Sequence, residues 1–372
     1  MIFEPSYRTF LGACHDISRR RERLAKPEID QMVQGRLGAD TPNDVLISHI
    51  IAEALLRRID RNLVESKNIY LERFDLSQID LFYLMCKGYP QVPEGHALAN
   101  TYLAHALRSW KGATLFEIGI GKALQLQRLI RALEEAPGRL QKLKVIALDP
   151  DPQNLADSRA ALEKHAGAVE VEFHGLNALL EHLTPDDFNK IADAAGPNLV
   201  INSAYTLHHT LHAPNDRELR TQILRRVNEF LRPRLFTLVE PNANHDTEHL
   251  PRRLNACWEH FGTVFDLIDK SDIEPGHKFV IKEKFFGREI RDIFGTSDAF
   301  RCERHESFES WLLHFARAGF RPYADPVDLD IQMPAYCNVQ KTEGLVRLGY
   351  RDLPLIAIFA FEAQGRRTGT KQ

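Results

Sequence analysis

With 372 residues, 44% of them hydrophobic and 27% charged, the chain has the composition of a globular protein that can hold one large α/β domain and a smaller one. The formal net charge of −3 leaves no global basic field, so no nucleic-acid partner is expected. No apolar run reaches the length of a membrane span, and the five cysteines are scattered without a CxxC pair. Together these argue for a reducing, cytoplasmic setting, with no membrane partner and no structural metal.

Residues 1–111 read as helical. Met1 to Gly12 lacks the basic start and long apolar run of a secretory leader. Arg19 to Lys26 (RRRERLAK) suits a solvated helix face better than a phosphate patch. Val45 to Ile59 carries Val45, Ile47, Ile50, Ile51, Ala54, Leu55 and Ile59 on one wide apolar stripe, with Asn43 or Thr41 to cap it. Leu76 to Lys87 and His96 to Trp110 read as further helices, set apart by Gly88-Tyr89-Pro90 and Pro93-Glu94-Gly95. This region is expected to cap the ligand edge of a sheet that starts at residue 112.

The sheet opens with Leu115, Phe116, Ile118 and Ile120, a run fit for a buried parallel strand. Gly119 and Gly121 break it, and Leu124, Leu126, Leu129, Ile130 and Leu133 then recur at helical spacing. A strand, a glycine turn and a helix N-terminus form the phosphate- or nucleoside-binding corner of a doubly wound sheet. Val145 to Leu148 is a second strand ending in Asp149 and Pro150, and an acid there can accept both ribose hydroxyls of an adenosine. Glu117, just before the glycines, would repel a pyrophosphate but suits the ammonium of a methionine-like group. The third glycine of a dinucleotide motif is missing.

Asp151 to His165 should be a helix and Val169 to Phe173 a third strand, leaving Leu176 and Asn177 to face an adenine. Asn198 to Asn202 is a fourth strand, which places Asn202, Ser203 and Tyr205 at the ligand edge, followed by His208 and His209. Arg217 to Leu231 should be a helix and Leu235 to Glu240 strand five. Beyond it lies the polar run Glu240, Asn242, Asn244, His245, Asp246. Glu240, His245 and His208 are the candidate bases, and Tyr205, His209, Asn242, Asn244 and Arg288 the candidate substrate contacts. For His208 and His209 the alternative is a packing role; for Asn242 and Asn244 it is turn formation. As neighbours in sequence, His208 and His209 are expected to point apart, which argues against a metal site. Leu250 to Gly295 is a helical insertion read as a second piece of the cap, at about residues 246–296. Arg288, Glu289, Arg304, His305 and Glu306 then form either a buried ion network or an anion site. Ser307 caps a helix to Ala318, strands follow near Tyr323 to Asp328 and at Leu355 to Phe361, and the residues after Glu362 should fray.

The E-x-G-x-G pattern at Glu117, Gly119 and Gly121, with Asp149, resembles the S-adenosylmethionine (SAM) site of class I methyltransferases. A wider resemblance rests on LHHT at 207–210, on LRRVNEFLRPRLFTLVEPNANHD at 224–246 and on LPRRLNACWEHFGTVFDLID at 250–269. It continues through GREI at 287–290, RCERHESFESW at 301–311 and RAGF at 317–320. These blocks, in this order, resemble the GRAS family from about residue 45 onward. Plant members are regulators and typically lack an intact SAM motif, so the chain looks like a bacterial-type member. The resemblance implies a Rossmann-like class I methyltransferase sheet, a helical cap, a homodimer, and SAM-dependent methyl transfer to O or N of a small molecule. The alternative is a non-catalytic GRAS-type protein that senses a ligand or binds a partner.

Overall fold

The computed structural model describes residues 5–33, 35–60, 78–135, 138–165, 167–210 and 218–364. The helix starts expected at Leu76 and Arg217, and residues 365–372 of the expected frayed tail, lie outside these. Ala363 of that tail still belongs to the last strand.

A nine-stranded mixed sheet forms the centre. Its strands are β1 (Gly112–Ile118), β2 (Lys142–Leu148), β3 (Glu170–Leu176), β4 (Leu199–Ala204), β5 (Leu235–Pro241), β6 (Phe320–Pro322), β7 (Cys337–Thr342), β8 (Leu345–Tyr350) and β9 (Leu353–Ala363). The order is β3-β2-β1-β4-β5-β9-β8-β7, with β6 also paired to β9. β1 to β5 run parallel, and β9 joins β5 antiparallel. The first five strands therefore follow the order of a doubly wound sheet, whose direction of winding reverses between β1 and β4. β1, β4 and β5 are buried almost throughout, as continuous apolar runs in a covered parallel sheet must be.

The helices are α1 (Pro5–Ser18), α2 (Glu22–Asp30), α3 (Asn43–Ile59), α4 (Gln78–Gly88), α5 (Gln91–Leu107), α6 (Leu124–Glu135), α7 (Pro152–Glu163), α8 (Pro185–Ala195), α9 (Leu219–Arg226), α10 (Leu250–Asp269), α11 (Pro275–Val280), α12 (Gly287–Gly295) and α13 (Phe308–Arg317). One face of the sheet packs on Leu103 and Leu107 of α5, Leu126, Leu129 and Leu133 of α6, and Leu155 and Leu162 of α7. The other packs on Phe188 and Ile191 of α8, Ile223 and Leu224 of α9, and Trp311 and Phe315 of α13. A third cluster joins Phe10 of α1, Ile29 of α2, Ile50, Ile51 and Leu55 of α3, Leu254, Phe261 and Phe265 of α10, and Ile290 and Ile293 of α12. N-terminal helices and the segment after β5 thus share one core.

Three local expectations are corrected. α3 starts behind Pro42 with no side-chain cap: Thr41 Oγ1 accepts from Gly38, and Asn43 is spent on Asp266, Asp269 and Lys282. Pro93-Glu94-Gly95 is no separator but lies in the opening turns of α5, where proline loses no intrahelical bond. Gly95 is there because a Cβ would stand 2.8 Å from the Tyr205 hydroxyl and 3.0 Å from Val239, so only glycine brings α5 this close to the sheet. Tyr323 to Asp328 is not a strand: β6 ends at Pro322, and the remaining edge is the hairpin β7–β8 turning at Glu343-Gly344. Gly344, the second residue of that turn, has φ +67, a conformation glycine adopts without steric cost.

Candidate functional site

A cavity of about 660 Å³ opens beyond the C-terminal ends of β1, β2 and β4, at the point where the winding reverses. Its sheet-side wall contains Glu117, Gly119, Gly121, Asp149, Pro150, Tyr205, His208 and His209. The opposite wall comes from the cap: Phe285, Phe286, Arg288, Glu289, His260, Cys302 and His305.

The glycine corner is built by sterics. Gly119 has φ +77, and a Cβ on it would fall 2.2 Å from Thr206 Oγ1. Gly121, at φ +52, has nothing within 4 Å of its Cβ position, so its backbone faces open space. Its N–H donates to Asp149 Oδ2 at 3.0 Å, and Asp149 Oδ1 accepts from Asp151 N at 2.9 Å and Asn154 Nδ2 at 3.2 Å. Burial raises the Asp149 carboxyl above its usual range, and these N–H donors oppose that. Glu117 is buried and accepts the Asn202 amide N–H at 2.7 Å, while burial pushes it up to about 8.

Several of the residues expected at the site stand behind its wall. Asn202 joins Glu117 to Thr237, whose hydroxyl donates to Asn202 Oδ1 at 2.7 Å. Ser203 is buried beside it in β4. Leu176 ends β3, and Asn177 donates to the carbonyls of Asp149 and Pro150 at 3.1 and 2.9 Å, shaping the loop. Asn242 donates to the Pro354 carbonyl and accepts from Phe308 N, a bracing role. Asn244 is exposed. Glu240 lies under the His208 ring: Oε1 accepts from Thr206 N and Leu207 N at 3.2 and 2.8 Å, and Oε2 is 2.5 Å from His208 Nδ1. His245 is buried behind His305, the two Nδ1 atoms 2.9 Å apart.

His208 and His209 do not point apart. They sit in a short 3₁₀ turn, Leu207–His209, where successive side chains are separated by about a third of a turn. Their ring centroids are 3.8 Å apart, and both face Glu303. Burial and the neighbouring imidazoles hold His208 well below its usual value, burial lowers His209, and burial takes His260 down to about 3. Burial alone would raise Glu303, but the facing His209, the bond from His305 and the nearby His208 hold it below the carboxylate range. Burial and the facing Glu303 push Glu289 well above it.

The late charged block divides in two. Arg304 pairs with Asp246 at 2.9 Å, Arg220 with Glu306, and Arg253 and Arg58 with Asp298 at 2.6 and 2.8 Å, tying the cap to the loop before α13. Glu303 and His305 turn the other way, toward His208 and His209. Glu303 and His260 were not among the expected site residues, and Glu289 was expected only as a member of a charged network or anion site. The alternation of Glu303 and His305 in an extended stretch, against Arg304 and Glu306, is the signal that marks Glu303.

A doubly wound sheet covered by helices on both faces, with a capped pocket at its reversal point, defines a three-layer α/β protein with a cap. The GRAS domain family matches residues 8–358, and the chain belongs to that family. It is similar to DELLA protein RGL3 of Arabidopsis thaliana, 27% identical over 336 residues covering 85% of this chain and 61% of that protein. It is also similar to DELLA protein GAIP of Cucurbita maxima, 26% identical over 361 residues covering 92% and 59%. The chain thus spans about three-fifths of the length of these curated relatives. The crystal structure of SCL7 from Oryza sativa shares the fold, with a TM-score of 0.75 at 18% identity over 96% of this chain and 100% of that one.

These findings correct the functional expectation. The relatives are DELLA proteins, regulators rather than enzymes, which overturns the methyltransferase reading and with it a methyl acceptor as the chain's partner. They are plant proteins, so the bacterial-type assignment has no support either. Among the described residues, no helix is long and apolar enough to cross a membrane.

Proposed function

We propose that this chain is a non-catalytic regulatory GRAS module that holds SAM, or a close adenosine relative, in its capped pocket and answers to it through a protein partner. The observation that carries this reading is the convergence of Glu117, Gly119, Gly121 and Asp149 on one cavity whose far wall is the cap. A ligand there touches both halves of the molecule, so its binding free energy is available to fix how the cap sits. The strand order of β1 to β5 and the pocket's place at the reversal point support reading the core as a class I methyltransferase-type scaffold kept for binding. Regulatory relatives support a protein partner as the output.

Calorimetric titration of the chain with SAM and S-adenosylhomocysteine tests it, with Glu117→Ala and Asp149→Ala as controls. Micromolar binding, lost in both variants, with labelled SAM recovered intact, is the expected result. No binding at millimolar ligand to folded protein overturns the ligand, and turnover of the methyl label overturns the non-catalytic role.

A further inference from the structure

We infer that the inner end of the cavity is a site for a divalent first-row transition ion, held by His208, His209 and Glu303 and completed by Glu289 or His305. Ligand atoms of His208, His209 and Glu303 all lie within 4.8 Å of one another, as do those of Glu289, Glu303 and His305. Glu303 Oε2 is 3.5 Å from His208 Nε2 and 3.0 Å from His305 Nε2, and Oε1 is 3.7 Å from His209 Nδ1. His208, His209, Glu289 and His305 line the cavity, so an ion there would keep a side open to it.

Two features of this cluster suit a cation. Glu289 and Glu303 bring two buried carboxylates into one group of ligand atoms. Glu240 is held by two backbone N–H groups and engages His208 Nδ1 at 2.5 Å, which leaves His208 Nε2 as the ring atom turned toward Glu303.

The surroundings are those of ligating histidines. His208 Nδ1 is held by Glu240, the backbone carbonyl of Cys302 accepts from the His209 ring, and His305 Nδ1 meets His245 Nδ1. Each imidazole has its other nitrogen engaged, which fixes ring orientation for coordination. Mixed imidazole and carboxylate donors favour zinc, cobalt, iron or manganese over calcium or magnesium, which take oxygen alone.

Chelator-treated full chain is titrated with Zn²⁺ by calorimetry and with Co²⁺ by visible absorption. The expected result is one equivalent of Zn²⁺ and a ligand-field band with Co²⁺. His209→Gln and Glu303→Gln should each abolish the band, and Glu240→Gln, acting through His208, should weaken Zn²⁺ binding about 10–100-fold. His174→Ala, an exposed histidine paired with Glu172 on β3, should leave both signals unchanged. Circular dichroism reports folding, and His209→Gln, at the half-buried wall, carries the test if Glu303→Gln does not fold. The proposal is overturned if the wild-type chain gives no Co²⁺ band. It is equally overturned if Zn²⁺ uptake survives in a folded His209→Gln variant.

Discussion

Asn202 donates its amide N–H to Glu117 at 2.7 Å inside the sheet edge, and this single bond is the only one among the described residues that meets the Glu117 carboxyl. It does not offset burial, which keeps the acid up at about 8. Because the folded value lies above the unfolded one, the neutral acid costs nothing at low pH. Stability then falls as pH rises from the usual glutamate range to about 8, by up to about 1.4 kcal/mol per pH unit. Glu117→Gln should flatten that slope in urea titrations run from pH 5 to 9. An amine-bearing ligand needs the ionised form, so its affinity should rise up to about tenfold per pH unit below 8 and level off above. A pH-independent affinity would contradict this placement.

Gly119→Ala sets a positive φ against a side chain and drives Cβ into Thr206. The expected loss is about 2 kcal/mol or more. In a Thr206→Ala background the steric part is relieved and the backbone part stays, so a double-mutant cycle of stabilities should show clear coupling. Additive losses would mean that Thr206 swings away at no cost.

Gly95→Ala would gain about 1 kcal/mol by helix propensity alone. The hydroxyl of Tyr205 at 2.8 Å opposes it, and the packing term should win, leaving a net loss of about 1 kcal/mol. With Tyr205→Phe the loss should shrink, since Val239 at 3.0 Å is then the nearest obstacle. A stabilised Gly95→Ala in thermal melts would show that α5 is free to shift.

Arg253 is fully buried against Asp298 at 2.6 Å, and Asp298→Ala should cost about 3 kcal/mol by leaving that guanidinium without its carboxylate. Burial alone would raise Asp298, but Arg253, Arg58 and Arg301 bring it down to about 2. Its contribution is therefore present above the usual aspartate range and fades as pH falls toward 2. Acid unfolding followed by circular dichroism should be shallower in the variant over that window.

One wall of the pocket was legible in the sequence and the other only in part, through Arg288 and the charged block that holds Glu289 and His305. Glu117, Gly119, Gly121 and Asp149 sit at fixed offsets from two strand ends, so local periodicity places them. Glu289, Glu303 and His260 come from α12, the loop before α13 and α10, and they meet only because the cap folds back over β4 and β5. The same limit explains the late strands. β9 is an unmistakable apolar run, whereas CNVQKT of β7 is a polar edge strand whose only local mark is the Glu343-Gly344 turn. Asn177 and Asn242 have residue types that suit a ligand, yet each is spent on neighbouring carbonyls that no spacing rule reveals.

β9 enters the sheet between β5 and β8, and its Ile356 lines the cavity. During synthesis, then, the parallel half of the sheet emerges with β5 as a bare edge and waits for the strand that seals it. Until Leu353–Ala363 has left the ribosome, the growing chain exposes a sticky border of unpaired peptide groups and its pocket lacks Ile356. Ligand added to stalled nascent chains should therefore protect them from proteolysis only after that segment has cleared the exit tunnel.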